Sequence, residues 1–215
     1  MPISNDLIQG LRSALHTAGH PAADQPLVPL PDKGLAHDHV RLQGTGWLAR
    51  IPKQSQLGLA ALDNLDYQRA CFERAAASGH TPALHAVLPP SAQLPRGALI
   101  VQAIEGRQAR LPHDLPALAS ALAALHALPQ PEAAARAPLL NAVDPLLALV
   151  QEIDAQAAHL GAAGLPAPVM VAIEGERQRL LACLTGTDRP ARCLIAFDAH
   201  PGNFIVQPHG HAVLV

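Results

Sequence analysis

The sequence has little charge and few aromatic residues: charged residues make up 15% of its 215 positions and aromatic residues 2%. Neither sign of charge dominates, with 15 Lys and Arg against 17 Asp and Glu. General affinity for nucleic acid needs a clear basic excess, so that class of partner is not expected. Cysteine is sparse. Cys71, Cys183 and Cys193 are odd in number and form no C-x-x-C pair. A disulfide framework or zinc ribbon is therefore not expected, and a reducing, cytoplasmic compartment fits. No run reaches the roughly 18 uninterrupted apolar residues of a membrane span. The N-terminus lacks the basic start and apolar stretch of a signal peptide. No internal repeat is visible. The 12 histidines are scattered, and only His37-Asp38-His39 and His209-Gly210-His211 form tight groups. A histidine-built metal centre is not expected from that spacing.

What remains is globular composition, 49% hydrophobic, long enough for one domain or two small lobes with a real core. Residues 5 to 18 space Leu7, Ile8, Leu11, Leu15 and Ala18 as an amphipathic helix, with Gly19 at its end. A proline-rich connector runs from Pro21 to Pro31. Val40-Arg41-Leu42 and Trp47 to Ile51 flank Gly44-Thr45-Gly46 and predict a hairpin. A helix is expected over 64–78, stopping at Gly79. His85 to Leu88 and Ala98 to Ile104 read as strands. After Gly106 the pattern turns helical: Leu115, Leu118, Leu122 and Leu125 form a stripe opened by Asp114 and Pro116. Asp144-Pro145 opens a second helix ending near Gly161, and 169–184 a third. Cys193 to Phe197 reads as a buried strand. Phe204 to Gln207 and Ala212 to Val215 read as a closing hairpin. Strands first and helices later argue for an α+β protein of two lobes.

The stretch richest in chemistry is Asp198-Ala199-His200-Pro201-Gly202-Asn203. An acid is followed by a tight turn, then by an amide five residues on, then by a hairpin. The carboxylate can orient a hydroxyl or accept its proton. The carboxamide oxygen suits Mg²⁺, a hard cation that prefers oxygen. That pairing is the loop logic of phosphoryl transfer, where catalysis is mostly positioning and charge neutralisation. The same residues can equally form a local Asx-type turn with no chemistry.

These six residues resemble the catalytic loop of the aminoglycoside phosphotransferase and choline kinase family, kinase-like enzymes acting on small molecules. Other segments resemble that family in its order along the chain. Gly34 to His39 is similar to the nucleotide-covering loop, and Trp47 to Pro52 to the third strand with its basic phosphate contact. Leu99 to Gly106 is similar to the strand and hinge that hold adenine, and Leu122 to Pro129 to the Leu-His helix end. The resemblance implies a protein-kinase-like two-lobe fold, with a small antiparallel-sheet N-lobe and a largely helical C-lobe. It divides the chain into an N-terminal helix and connector (1–26), a nucleotide-binding N-lobe (27–103) and a C-lobe with the catalytic loop (104–215). It implies ATP and Mg²⁺ as cofactors and a small-molecule hydroxyl as acceptor.

By the same resemblance, Asp198 is the catalytic base and Asn203 holds one Mg²⁺. Arg50 contacts the ATP phosphates, with Lys53 as the alternative. Gln102 and Ile104 offer backbone groups to adenine, and Gly34 covers the phosphates. His200 is expected to be a buried brace bonding loop carbonyls.

Three departures stand out. Ala196-Phe197 replace the usual His-Gly or His-Asn before the aspartate. Gln68 stands where a Glu normally pairs with the basic residue of the third strand, with Glu73 the nearest carboxylate. The family's second Mg²⁺ ligand, an Asp, would follow directly after Val215. The sequence therefore reads as a fragment of a longer kinase, weak or inactive by itself. The alternative is a non-catalytic nucleotide-binding or interaction module.

Overall fold

The computed structural model describes residues 3–31, 36–184, 191–196 and 198–215. They form two compact units: Met1–Gln130 with Cys193–Val215, and Pro131–Arg192. The fold class is α+β, with antiparallel sheets and helices.

The first unit is built on five antiparallel strands: β1 (Leu27–Pro29), β2 (His37–Leu42), β3 (Trp47–Pro52), β4 (Leu84–Leu88) and β5 (Ala98–Gln102). Their order in the sheet is β1-β2-β3-β5-β4. Alternation of side chains sends each strand's residues to two faces. Val40, Leu42, Ala49, Ile51, Ala98 and Ile100 are buried on one face. Helix α1 (Asn5–Thr17) covers it with Leu11 and Leu15, both fully buried. Leu48, Leu99 and Val101 point the other way, onto Leu65 and Phe72 of helix α2 (Ala61–Ala75). Arg50 shares that second face by parity with Leu48. Ser4 caps α1, its hydroxyl accepting from the Leu7 amide at 3.2 Å.

A second sheet of three strands, β6 (Arg107–Gln108), β7 (Phe204–Val206) and β8 (Ala212–Leu214), completes the unit. Helix α3 (Leu115–His126) packs Leu118 and Ala121 against Phe204, Val206 and Ala212 of this sheet. Asp114, at the start of α3, is buried and takes two bonds from the Arg107 guanidinium, at 2.5 and 2.8 Å. The Arg110 amide adds a third at 2.7 Å. Arg107 first, then that amide, hold the Asp114 carboxyl well below the usual carboxylate range.

The chain between α2 and β4 is tied to β8. The Leu214 amide donates to the His80 carbonyl at 2.8 Å, and His80 Nδ1 donates to the Ala212 carbonyl at 2.7 Å. His211 Nε2 reaches the Gly79 carbonyl at 3.0 Å, and the His80 and His211 rings stack with centroids 4.2 Å apart.

The second unit holds helices α4 (Pro145–Ala157) and α5 (Ala167–Leu184). Asp144 caps α4 through the Leu146 and Leu147 amides, and Arg177 of α5 is paired with Asp154 of α4. No helix among the described residues is long and apolar enough to cross a membrane.

Several sequence expectations need correction. Cys193–Ala196 form no strand, and Ile195 is 58% exposed; Phe197, the last residue of the expected strand, lies outside the described residues. The neighbouring sheet holds β6, β7 and β8, and 193–196 pair with none of them. β6 itself lay inside a segment read as helical. The connector 21–31 contains β1, an edge strand that tolerates Pro29 because only β2 pairs with it. Helix α4 ends at Ala157, before Gly161.

Gly10 sits inside α1 where a Cβ would lie 2.0 Å from the Gln93 carbonyl oxygen. In an exposed helix, Gly→Ala gains about 1 kcal/mol. Here the obstacle is backbone, and overpacking costs about 1–3 kcal/mol. Gly10→Ala is therefore expected to lower the urea midpoint; a raised midpoint would show that α1 does not pack on the 89–97 loop this closely.

Candidate active site

Arg50 lies on β3 opposite His39 of β2 in the sheet register. The β2–β3 turn fixes that register: Thr45 Oγ1 donates to the Leu42 carbonyl at 2.7 Å and accepts from the Trp47 amide at 3.1 Å. The guanidinium lies over the Phe72 ring of α2, 5.4 Å from its centroid. Burial pulls its pKa down to about 10, so it is still a cation at neutral pH. Its Nε is buried with no hydrogen-bond partner. Its Nη2 lies 3.4 Å from Nδ1 of His37. The other ring nitrogen of His37, Nε2, lies 3.0 Å from Oε1 of Gln68 on α2.

Gln68 thus reaches Arg50 only through His37. Glu73 is engaged elsewhere, bound to Arg69 at 2.7 and 2.9 Å. Lys53, the alternative cation, pairs with Asp38 at 3.3 Å. By parity this pair belongs to the α1 face, away from Arg50.

The Asp198 loop forms a short turn, a 3₁₀ segment over Pro201–Asn203 leading into β7. The Asn203 side-chain nitrogen donates to the Asp198 carbonyl at 2.8 Å. A carbonyl only accepts, so the amide nitrogen faces it and Oδ1 is left for another group. The Asp198 carboxylate is 77% exposed, with His200 Nε2 3.8 Å away. His200 is not buried, and it bonds no carbonyl among the described residues. It is 56% exposed, and its Nδ1 accepts from the Gly202 amide at 2.9 Å. A Cβ at Gly202 would come within 2.5 Å of that ring, so the turn depends on the missing side chain. The Gln108 side chain of β6 donates to the Gly202 carbonyl at 3.2 Å, and the Val215 amide to the Asn203 carbonyl at 2.9 Å.

With a basic third strand and this loop in place, residues 28–215 match the model of the phosphotransferase enzyme family (APH). The chain belongs to that family. Among solved structures it is similar to a choline/ethanolamine kinase family protein from Mesorhizobium loti, 20% identical with a TM-score of 0.57. It is also similar to a Ralstonia eutropha protein assigned as an aminoglycoside phosphotransferase, 14% identical with a TM-score of 0.59. Each likeness covers 97% of this chain, but the chain spans only 64% and 63% of the length of those proteins. At these identities the likeness is one of fold. No curated protein matches the chain.

Of the residues that the phosphotransferase resemblance singled out, Asp198 and Asn203 meet in one turn, and Arg50 stands on the sheet above α2. Gln102 closes β5, and its amide donates to the Ala83 carbonyl at 2.8 Å. The next amide, of Ala103, donates to Gly46 at 2.7 Å. Neither N–H is therefore open to a base. The Ile104 amide makes no hydrogen bond to a described residue. Gly34 lies outside the described residues. An open cavity of about 590 Å³ between the start of α3 and the turn after β7 is lined by Arg107, His113, Asp114 and Gln207, and by none of these residues.

Sequence reasoning missed the contact of His37 with Arg50; the residue entered only as part of a tight histidine group and of the Gly34 to His39 segment likened to the nucleotide-covering loop. The signal was the hairpin register: with the turn at 43–46, His37 falls on the Arg50 face. Burial and the neighbouring Arg50 charge lower the His37 pKa to about 3. His39 and Lys53 push it the same way, against the Gln68 bond. The imidazole then takes up its proton near 6.5 in the unfolded chain but near 3 in the fold. Between those values the unfolded chain holds more protons. Stability should fall as pH drops from 6.5 toward 3, by at most about 1.4 kcal/mol per pH unit from this group. His37→Gln should flatten that slope in urea unfolding from pH 7 to 4. An unchanged slope would mean the imidazole charges freely in the fold.

Proposed function

We propose that this protein binds ATP with Mg²⁺ and transfers a phosphoryl group to a hydroxyl of a small molecule. The observation that carries this reading is Arg50, a half-buried cation whose Nε is itself buried and unpartnered, with no carboxylate partner among the described residues. Such a group is costly unless an anion completes it, and a phosphate oxygen is the natural partner. The Asn203 Oδ1, left open by the bond to Asp198, is the kind of hard oxygen that Mg²⁺ takes.

Bound ATP with Mg²⁺ supplies the phosphoryl group and neutralises its charge. The residues do the rest. Arg50 holds a phosphate. Asn203 holds the cation, and its own nitrogen keeps it in register with Asp198. The exposed Asp198 carboxylate orients the acceptor hydroxyl and takes its proton. Ile104 offers an amide to adenine, with Gln102 contributing its carbonyl, and Gly34 belongs to the loop over the phosphates. The N-lobe is 27–103, following the helix and connector of 1–26, and 104–215 carries the loop. A cytoplasmic setting supplies ATP and keeps Cys71, Cys183 and Cys193 as the free thiols they are.

A second reading, a nucleotide-binding module with little or no turnover, is favoured by one observation. His37 and Gln68 stand where a carboxylate would hold the basic residue, so the usual ion pair is replaced by neutral bonds.

Thermal unfolding with and without ATP and Mg²⁺ tests both readings. Ligand at about 100 times its Kd should stabilise by about 2.7 kcal/mol. Asn203→Ala should lose the Mg²⁺-dependent part. Asp198→Asn should keep binding and lose about 100-fold or more of any transfer to a panel of amino alcohols and sugars. No stabilisation at millimolar Mg·ATP would end both readings. Binding without transfer to any acceptor, by this chain and by any longer form, would leave the module.

A further inference from the structure

The His37 imidazole stands between a cation and a neutral amide, and those neighbours fix its state. The Gln68 oxygen can only accept, so the proton at that contact sits on Nε2. Nδ1 is then a lone pair facing the Arg50 guanidinium. A protonated ring could not accept from Arg50 and would set two cations side by side. The carboxylates of α2 nearest in sequence to Gln68 are both engaged by Arg69: Asp66 at 3.4 Å and Glu73 at 2.7 Å. Among the described residues, the other titratable groups that act on the pair are His39 on β2, Lys53 just past β3 and Cys71 on α2, whose thiol burial pushes up to about 11. The carboxylate next to His37 in the chain, Asp38, is on the opposite face of β2 by parity and is paired with Lys53 at 3.3 Å.

We propose that His37 is a positioning residue that anchors Arg50 toward a nucleotide phosphate in place of a carboxylate. By staying neutral it leaves the guanidinium charge for the phosphate. The inference rests on the ATP-binding reading above and concerns how that reading is achieved. A carboxylate in this place would hold Arg50 firmly but cancel part of its charge before the ligand arrives. The imidazole holds it through a directed bond and cancels nothing. The cost is that the half-buried Arg50 has a weaker anchor, and this is why the ring of Phe72 and the brace from Gln68 matter.

The test uses the whole 215-residue chain and two readouts. Imidazole ¹⁵N NMR reads the tautomer without any ligand. The expected result is a neutral His37 protonated on Nε2; a proton on Nδ1, or a charged ring at pH 7, overturns the proposal whatever the nucleotide does. Titration with Mg·ATP then compares the parent with His37→Ala, His37→Gln and Arg50→Met. Losing a hydrogen bond to a charged group corresponds to roughly tenfold or more in Kd, expected for His37→Ala and Arg50→Met. His37→Gln keeps a neutral acceptor and should stay within about threefold of the parent. If Arg50→Met weakens ATP but His37→Ala does not, the ATP reading stands and the positioning role is wrong. If the parent itself binds no Mg·ATP, the reading and the proposal fall together. Should His37→Ala fail to fold, the tautomer and His37→Gln still decide: a His37→Gln protein that folds but binds as poorly as Arg50→Met counts against the proposal.

Discussion

Placing a half-buried guanidinium between a sheet and a helix sets the terms for everything near it. Arg50 cannot shed its charge at neutral pH, and water is kept from its Nε. Its surroundings must therefore either supply an anion or hold the cation ready for one. In our proposal the described residues do the second. Phe72 offers a ring face, His37 a lone pair, and Gln68 a brace on His37. This arrangement depends in turn on the alternation of β2 and β3. A slip of one residue would send Arg50 into the aliphatic face under α1, among Leu11, Leu15, Val40 and Ile51.

The two faces of that sheet divide the work. The α1 face is close-packed and apolar, tight enough that Gly10 is needed where α1 meets the 89–97 loop. The α2 face mixes a small aliphatic cluster around Leu65, Leu99 and Val101 with the polar relay. A rigid side and a chemical side therefore come from one set of strands, because each strand's even and odd positions carry different residue types.

Much of this was legible in the sequence. The β2–β3 hairpin, α1, α2, the stripe of α3 and the β7–β8 hairpin all announce themselves by periodicity and turn residues. So does the Asp198–Asn203 loop, by its unusual order of acid, Pro-Gly and amide. The misses share a cause. Strands β1 and β6 span only three and two residues, too short for any period to show. The run Cys193 to Ala196 looks like part of a strand because its composition is apolar, but composition does not reveal whether a neighbouring edge is free. His200 was expected to be buried because braces usually are; it caps an exposed turn instead. The contact of His37 with α2 was not legible because its partner there lies 31 residues away. Position 68 was expected to stand opposite the basic residue of the third strand; its side chain instead bonds His37 of β2, a contact that only the register supplies.

The tie between His80 and β8 has a consequence for how the chain matures. It joins residues 132 apart in sequence. Closing a loop of that length costs about 4 kcal/mol of chain entropy. β8 also ends in the bond from the Val215 amide to the Asn203 carbonyl. The backbone of the proposed metal ligand is thus fastened only after residues 212–215 have been synthesised and the α2–β4 connection is in place. During synthesis, the sheet that carries Arg50 can assemble long before the loop that carries Asn203. A nascent chain would acquire its proposed phosphate contact before its proposed metal contact.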